Sequence, residues 1–98
     1  MTVTKTKTNG QLTILLEGRL DTTTALQLEE ELRNNIDGIE CLVLDLEKLE
    51  YLSSAGLRVV LAAEKRMSKQ GKMLLKHVPE IIMDIFEVTG FVDILTIE

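Results

Sequence analysis

Tryptophan is absent, and the chain holds one cysteine, one proline, one histidine and three aromatic residues, Tyr51, Phe86 and Phe91. Each scarcity removes a class of function. A single cysteine, Cys41, makes no internal disulfide, and within the apolar run Ile39 to Leu44 it reads as a buried small hydrophobe. His77 has no second histidine or cysteine to complete a zinc site, so no metal is expected. Three aromatics offer no stacking platform for unpaired bases. Positive charge is short too: 11 Lys and Arg against 16 Asp and Glu leave a formal net charge of −5. An acidic domain repels a phosphate backbone, which removes nucleic acid as a partner. The opening MTVTKTKTNG has no apolar signal core, and no run approaches the ~20 apolar residues of a membrane span. A cytoplasmic protein with no membrane partner is expected, in keeping with the unpaired cysteine.

What is present suits one domain over residues 1–98. A hydrophobic fraction of 45% supplies one core without disulfide or metal staples. The chain shows no internal repeat, low-complexity segment or linker.

Thr2 to Lys7 is β-prone but polar, which suits an edge strand. Asn9-Gly10 signals a hairpin, because both central positions of a type I′ turn need positive φ. Gln11 to Glu17 places Leu12, Ile14 and Leu16 on one face, and Leu15 opposite them implies cover on both sides. Asp21 or Thr22 caps a helix whose core stripe is Ala25, Leu28, Leu32 and Ile36. Asp37-Gly38 ends it. Ile39 to Leu44 reads as a central strand buried on both faces. Leu46 to Leu52 reads as a connection anchored by Leu49 and Leu52. A second helix starts near Ser54, with Leu57, Val60, Leu61, Ala62 and Ala63 inward and Arg58, Glu64, Lys65, Arg66 and Lys69 wet; Gly71 stops it. Lys72 to Lys76 is a short strand. Pro79 opens a third helix that turns Ile82, Ile85, Phe86 and Thr89 inward and closes at Gly90. Phe91 to Ile97 contains a last strand. The order β-β-α-β-α-β-α-β implies an α/β fold: a mixed, mostly parallel sheet of about five strands with three or so helices packed on it.

Enzymatic readings lack their parts. There is no Cys–His pair and no G-x-S-x-G elbow, and Ser54 has no base nearby in sequence. No glycine loop cradles a phosphate. Asp45, at the end of an apolar strand, resembles the phosphoacceptor of a two-component receiver domain. That family also needs an acidic pair after its first strand and a late Lys, whereas the early strands here contain only Glu17. Asp45 reads better as an acceptor for nearby loop N–H groups.

Ser53 and Ser54 sit where a helix begins, among unpaired backbone N–H groups at its positive end. One of them can be the N-cap. The same geometry would receive a phosphate on Ser54, and Gly56 would let a partner's backbone come close.

Tyr51-Leu52-Ser53-Ser54-Ala55-Gly56-Leu57-Arg58-Val59-Val60-Leu61 resembles the signature of STAS domains, the bacterial anti-sigma-factor antagonists. Gly18-Arg19-Leu20-Asp21, Leu44-Asp45-Leu46 and Phe86-Glu87-Val88-Thr89-Gly90-Phe91 agree with it in order and spacing along the whole chain. The resemblance implies a non-enzymatic, cofactor-free partner switch. A serine kinase that doubles as an anti-sigma factor phosphorylates the serine in the Ser54 position, the unphosphorylated protein binds that kinase and frees the sigma factor, and a PP2C-type phosphatase resets it. The partner-binding face would be Asp21, Thr22 and Ser53 to Arg58, that is Ser53, Ser54, Ala55, Gly56, Leu57 and Arg58. The family's usual Asp is Ser53 here, which makes Ser53 the fallback acceptor. Some STAS domains serve unphosphorylated as scaffold or transporter subunits. Many relatives continue into a further helix, so apolar surface near Ile81, Met83 or Val88 is expected to be exposed for contact.

Overall fold

The computed structural model describes residues 1–98. Strands β1 (Thr2–Thr8) and β2 (Gln11–Leu20) form an antiparallel hairpin. Asn9 and Gly10 turn it with φ of 48° and 81°, as the dipeptide predicts. Helix α1 (Thr22–Asn35), strand β3 (Cys41–Leu52), helix α2 (Ser54–Met67), strand β4 (Lys72–Lys76) and helix α3 (Glu80–Thr89) follow in order. The sheet order is β1-β2-β3-β4, with the last two pairings parallel. This is the mixed, mostly parallel α/β architecture expected. At the place of the last strand, Phe91–Asp93 forms a 3₁₀ turn, and the chain reaches the sheet edge through one parallel bridge from Leu75 to Ile97. Gly90, at φ 80°, ends α3 in the left-handed conformation and makes that turn.

One face of the sheet carries the core. Leu12, Ile14 and Leu16 of β2, Leu42, Leu44 and Leu46 of β3, and Met73 and Leu75 of β4 are buried. They share one cluster with Leu28 and Leu32 of α1, Val60 and Met67 of α2, and Ile82 and Phe86 of α3. The opposite face is thinly covered. Leu15 and Cys41 are half-buried there, so the cysteine is not buried as expected from sequence, and the expected two-sided cover is only partial. Val43 alone on that face of β2 to β4 is sealed, at 3% exposure, in register with Thr13 and Leu74.

Leu46 to Leu52 is strand, not connection, because β3 runs from Cys41 to Leu52 beside β2. Its pairing shifts register between Leu15 and Glu17 and again between Gly18 and Arg19. Such irregularities break the period of two, so the buried residues Leu46, Leu49 and Leu52 recur every third position.

In α2 the buried residues include Val59 and Met67, while Ala62 is exposed and Leu61 half-buried. Gly71 lies beyond the helix end. In α3 the N-cap is Pro79, and the buried pair is Ile82 and Phe86. Ile85 is half-buried, and Thr89 is exposed, its hydroxyl donating to the Ile85 carbonyl at 2.7 Å. No helix is long and apolar enough to cross a membrane.

Candidate functional site

The late register of β2 and β3 pairs Arg19 with Tyr51 and Leu20 with Leu52. Two adjacent parallel strands therefore end side by side, and each feeds a helix. The Arg19 guanidinium lies 4.2 Å from the centroid of the Tyr51 ring, a cation–π contact across the strand ends. The Ser53 N–H donates to the Leu20 carbonyl at 2.9 Å. The starts of α1 and α2 are thus held together, with their first-turn N–H groups at the same end of the sheet.

Asp21 caps α1. Its Oδ1 accepts from the Thr23 and Thr24 N–H groups at 3.1 and 3.0 Å. The Asp21 N–H donates back to the Thr24 hydroxyl at 2.8 Å, which closes a capping box. The Thr24 N–H, then the Thr24 hydroxyl, hold the Asp21 carboxyl below the ordinary carboxylate range. Thr22, the first residue of α1, is exposed.

Ser53 caps α2, its Oγ accepting from the Gly56 N–H at 3.2 Å. Ser54 is the first helical residue and is exposed. The two hydroxyls thus have different tasks: one terminates the helix and the other faces solvent. Ala55 is half-buried, Gly56 and Leu57 are buried, and Arg58 is exposed. A Cβ on Gly56 would lie 2.7 Å from Leu20 Cγ and 2.9 Å from the Leu20 carbonyl oxygen. Leu20 therefore fills the side of Gly56 that sequence reasoning left open for a partner's backbone. The glycine is needed for the close packing of α2 on the end of β2.

Two shallow apolar grooves flank this first turn. One runs between α1 and α2, lined by Thr22, Leu26, Ala55, Arg58, Val59 and Ala62 among others. The other is lined by Ser54, Leu57, Arg58, Leu61, Thr89 and Phe91. Arg58 borders both. Leu26, Val59, Leu61, Ala62, Thr89 and Phe91 are absent from the face read from sequence. Leu26 breaks the α1 core stripe and is 67% exposed, the one sequence signal that could have found the first groove. On α3, Ile81 and Val88 are exposed as expected, and Met83 is half-buried.

The fold also gives His77 neighbours that the sequence does not reveal. Its Nδ1 lies 3.1 Å from Asp45 Oδ1 and 3.8 Å from Glu47 Oε1. Asp45 Oδ1 also accepts from the Glu47 N–H at 3.1 Å, a local bond as expected, but to a residue of β3 and not of a loop. Asp45 is seven residues before Leu52, roughly 20 Å along the strand at the usual rise.

Comparison with known proteins supplies the rest. A family model described as the STAS domain matches residues 2–98. BtrV of Bordetella bronchiseptica, named as an anti-sigma factor antagonist, is 39% identical over 99 aligned positions, covering 99% of this chain and 85% of its own. The anti-sigma-B factor antagonist of Listeria monocytogenes is 30% identical over 97 positions, covering 96% of this chain and 84% of its own. Among solved structures, an anti-sigma factor antagonist from Mycobacterium paratuberculosis superposes with a TM-score of 0.87 at 23% identity, over 98% of this chain and 83% of that one. At that identity the match speaks for the fold alone.

Proposed function

The chain belongs to the STAS domain family, and on that premise we propose that residues 1–98 act as an anti-sigma-factor antagonist in the bacterial cytoplasm. In this reading the unphosphorylated protein binds an anti-sigma factor that is also a serine kinase, and a sigma factor is released. Phosphorylation of Ser54 ends the binding, and a PP2C-type phosphatase restores it. The protein works by binding, not catalysis; ATP and magnesium belong to the kinase. The names of relatives at 39% and 30% identity support the antagonist role.

The observation that carries the switch is the division of labour at the start of α2. Ser53 Oγ is engaged with the Gly56 N–H, whereas Ser54 is exposed at the first helical position. A phosphate there adds about −1.5 to −2 charge. It would rest at the positive end of α2, on the rim of the groove that Leu57, Arg58 and Phe91 line. A docked surface that covers Ser54 without a cation of its own would have to desolvate that charge, and binding would weaken.

The test is phosphorylation by the cognate kinase with ATP, followed by mass-spectrometric mapping. Phosphate on Ser54 is expected, and no phosphate on Ser54 or Ser53 overturns the switch. Ser54→Asp should weaken kinase binding by more than about tenfold, which corresponds to 1.4 kcal/mol. Ser54→Ala should bind normally and resist release by ATP. If Ser54→Asp leaves partner binding intact, the protein is instead an unphosphorylated STAS scaffold or transporter subunit.

A further inference from the structure

We propose that Asp45, Glu47 and His77 form a binding site for a divalent transition-metal ion of the zinc type, separate from Ser54 and independent of the partner switch. The site is built from one strand and the turn that follows its neighbour. Asp45 and Glu47 are two residues apart on β3, and Lys76, the last residue of β4, is in register with Asp45. His77 follows at once. It takes a φ of 55°, a left-handed conformation that a non-glycine residue seldom adopts, and in it the imidazole faces the two carboxylates. One ligand atom from each of the three residues lies within 4.8 Å of the others.

The spacing has a metal's scale. Four ligands at about 2.0 Å around a tetrahedral ion stand roughly 3.3 Å apart. The distances from His77 Nδ1 to Asp45 Oδ1 and Glu47 Oε1, 3.1 and 3.8 Å, bracket that value. Asp45 Oδ1 is further oriented by the Glu47 N–H, the kind of outer bond that holds a metal ligand in place. His77 is the only basic side chain within salt-bridge distance of either carboxylate, so no fixed cation of a Lys or Arg must be displaced. One imidazole with two carboxylates selects a borderline transition ion over magnesium or calcium, which take all-oxygen shells. Three protein ligands leave the fourth position to water. The bound ion would tie the connection between β4 and α3 to the middle of β3.

The experiment is titration of the full, tag-free chain with zinc chloride. It is followed by calorimetry and by the imidazole C–H signals in proton NMR. His77 is the only histidine, so those signals report on one residue. One zinc per chain is expected, with saturating shifts of the His77 signals that excess magnesium does not reproduce. His77→Ala and the more exposed Glu47→Gln should each weaken binding at least about tenfold with the circular dichroism unchanged. Cys41→Ser, outside the cluster, should leave it intact. His77 signals unmoved by millimolar zinc, or undiminished binding in His77→Ala, would overturn the proposal and leave a plain histidine–carboxylate pair.

Discussion

The backbone N–H of Ser53 donates to the carbonyl of Leu20 at 2.9 Å, and through that bond the two helix starts become one surface. Leu20 ends β2 and immediately precedes the cap of α1, while Ser53 is the cap of α2. The Leu20 side chain, fully buried, lies under Gly56. A single residue thus sets both the lateral position of α2 and the height of its first turn. That accounts for the order in the sequence, where Gly18-Arg19-Leu20-Asp21 and Ser53-Ser54-Ala55-Gly56 are distant in the chain but adjacent in the fold.

Gly56→Ala tests this packing. The new Cβ meets Leu20 Cγ at 2.7 Å and the Leu20 carbonyl oxygen at 2.9 Å, and neither the branch carbon of a fully buried leucine nor the backbone can swing aside freely. Moving that carbonyl strains its bond to Ser53. The expected loss is about 1–3 kcal/mol, the usual cost of overpacking a tight site. It should appear as a lower urea midpoint with an unchanged slope. Combined with Leu20→Ala, the glycine substitution should cost less than it does alone, because half the collision is gone. Additive losses in the double variant would mean that Leu20 does not set the position of the turn.

Ser53→Ala and Ser54→Ala should separate on stability before any partner is added. Ser53 Oγ satisfies an otherwise unpaired helix N–H, so its removal should cost about 1 kcal/mol. Ser54 is exposed, and its removal should change stability by less than about 0.5 kcal/mol. Chemical denaturation of the two variants decides the point. Equal losses would make Ser54 a structural cap as well and weaken its assignment as a free phosphoacceptor.

Much of this was legible in the chain. Asn9-Gly10, the Ala25–Leu28–Leu32–Ile36 stripe, Gly90 and the Ser53-Ser54 helix start each act through neighbours a few residues away, and each is found where local reasoning puts it. The failures involve partners remote in sequence. Residues Leu46 to Leu52 look irregular because two register shifts hide the strand alternation. Gly56 looks open because Leu20, which occupies the space beside it, is 36 positions earlier. His77 looks isolated because its carboxylate neighbours come from β3, some thirty residues earlier. The run Ile39 to Leu44 looks sealed throughout, but on its second face Val43 is buried and Cys41 only half-buried, because apolar composition records hydrophobicity, not which face the helices cover.

Glu64 supplies the pH test. It lies on α2, half-buried, and its Oε2 is sealed from water without a hydrogen-bond partner. Burial pushes its carboxyl above the ordinary value, since a desolvated carboxylate prefers the neutral form. The sign follows from linkage. With the folded pKa above the unfolded one, the native state gains a proton more readily. Glu64 is then least costly to the fold below the unfolded pKa, and that advantage is lost as pH rises through the folded pKa. Asp21, held low by Thr24, acts oppositely: its contribution is present above its unfolded pKa and disappears in acid. The two overlap in the wild-type profile, so the difference between wild type and Glu64→Gln isolates Glu64. Glu64→Gln should raise Tm at neutral pH, because the amide avoids the buried charge. The gain should shrink on acidification and vanish once Glu64 is protonated in both states. Thermal unfolding of both proteins between pH 4 and 8 (on the order of the carboxylate-to-neutral span) reads it directly. A Tm difference that does not vary with pH would show that Glu64 ionises in the native protein as it does in the unfolded chain.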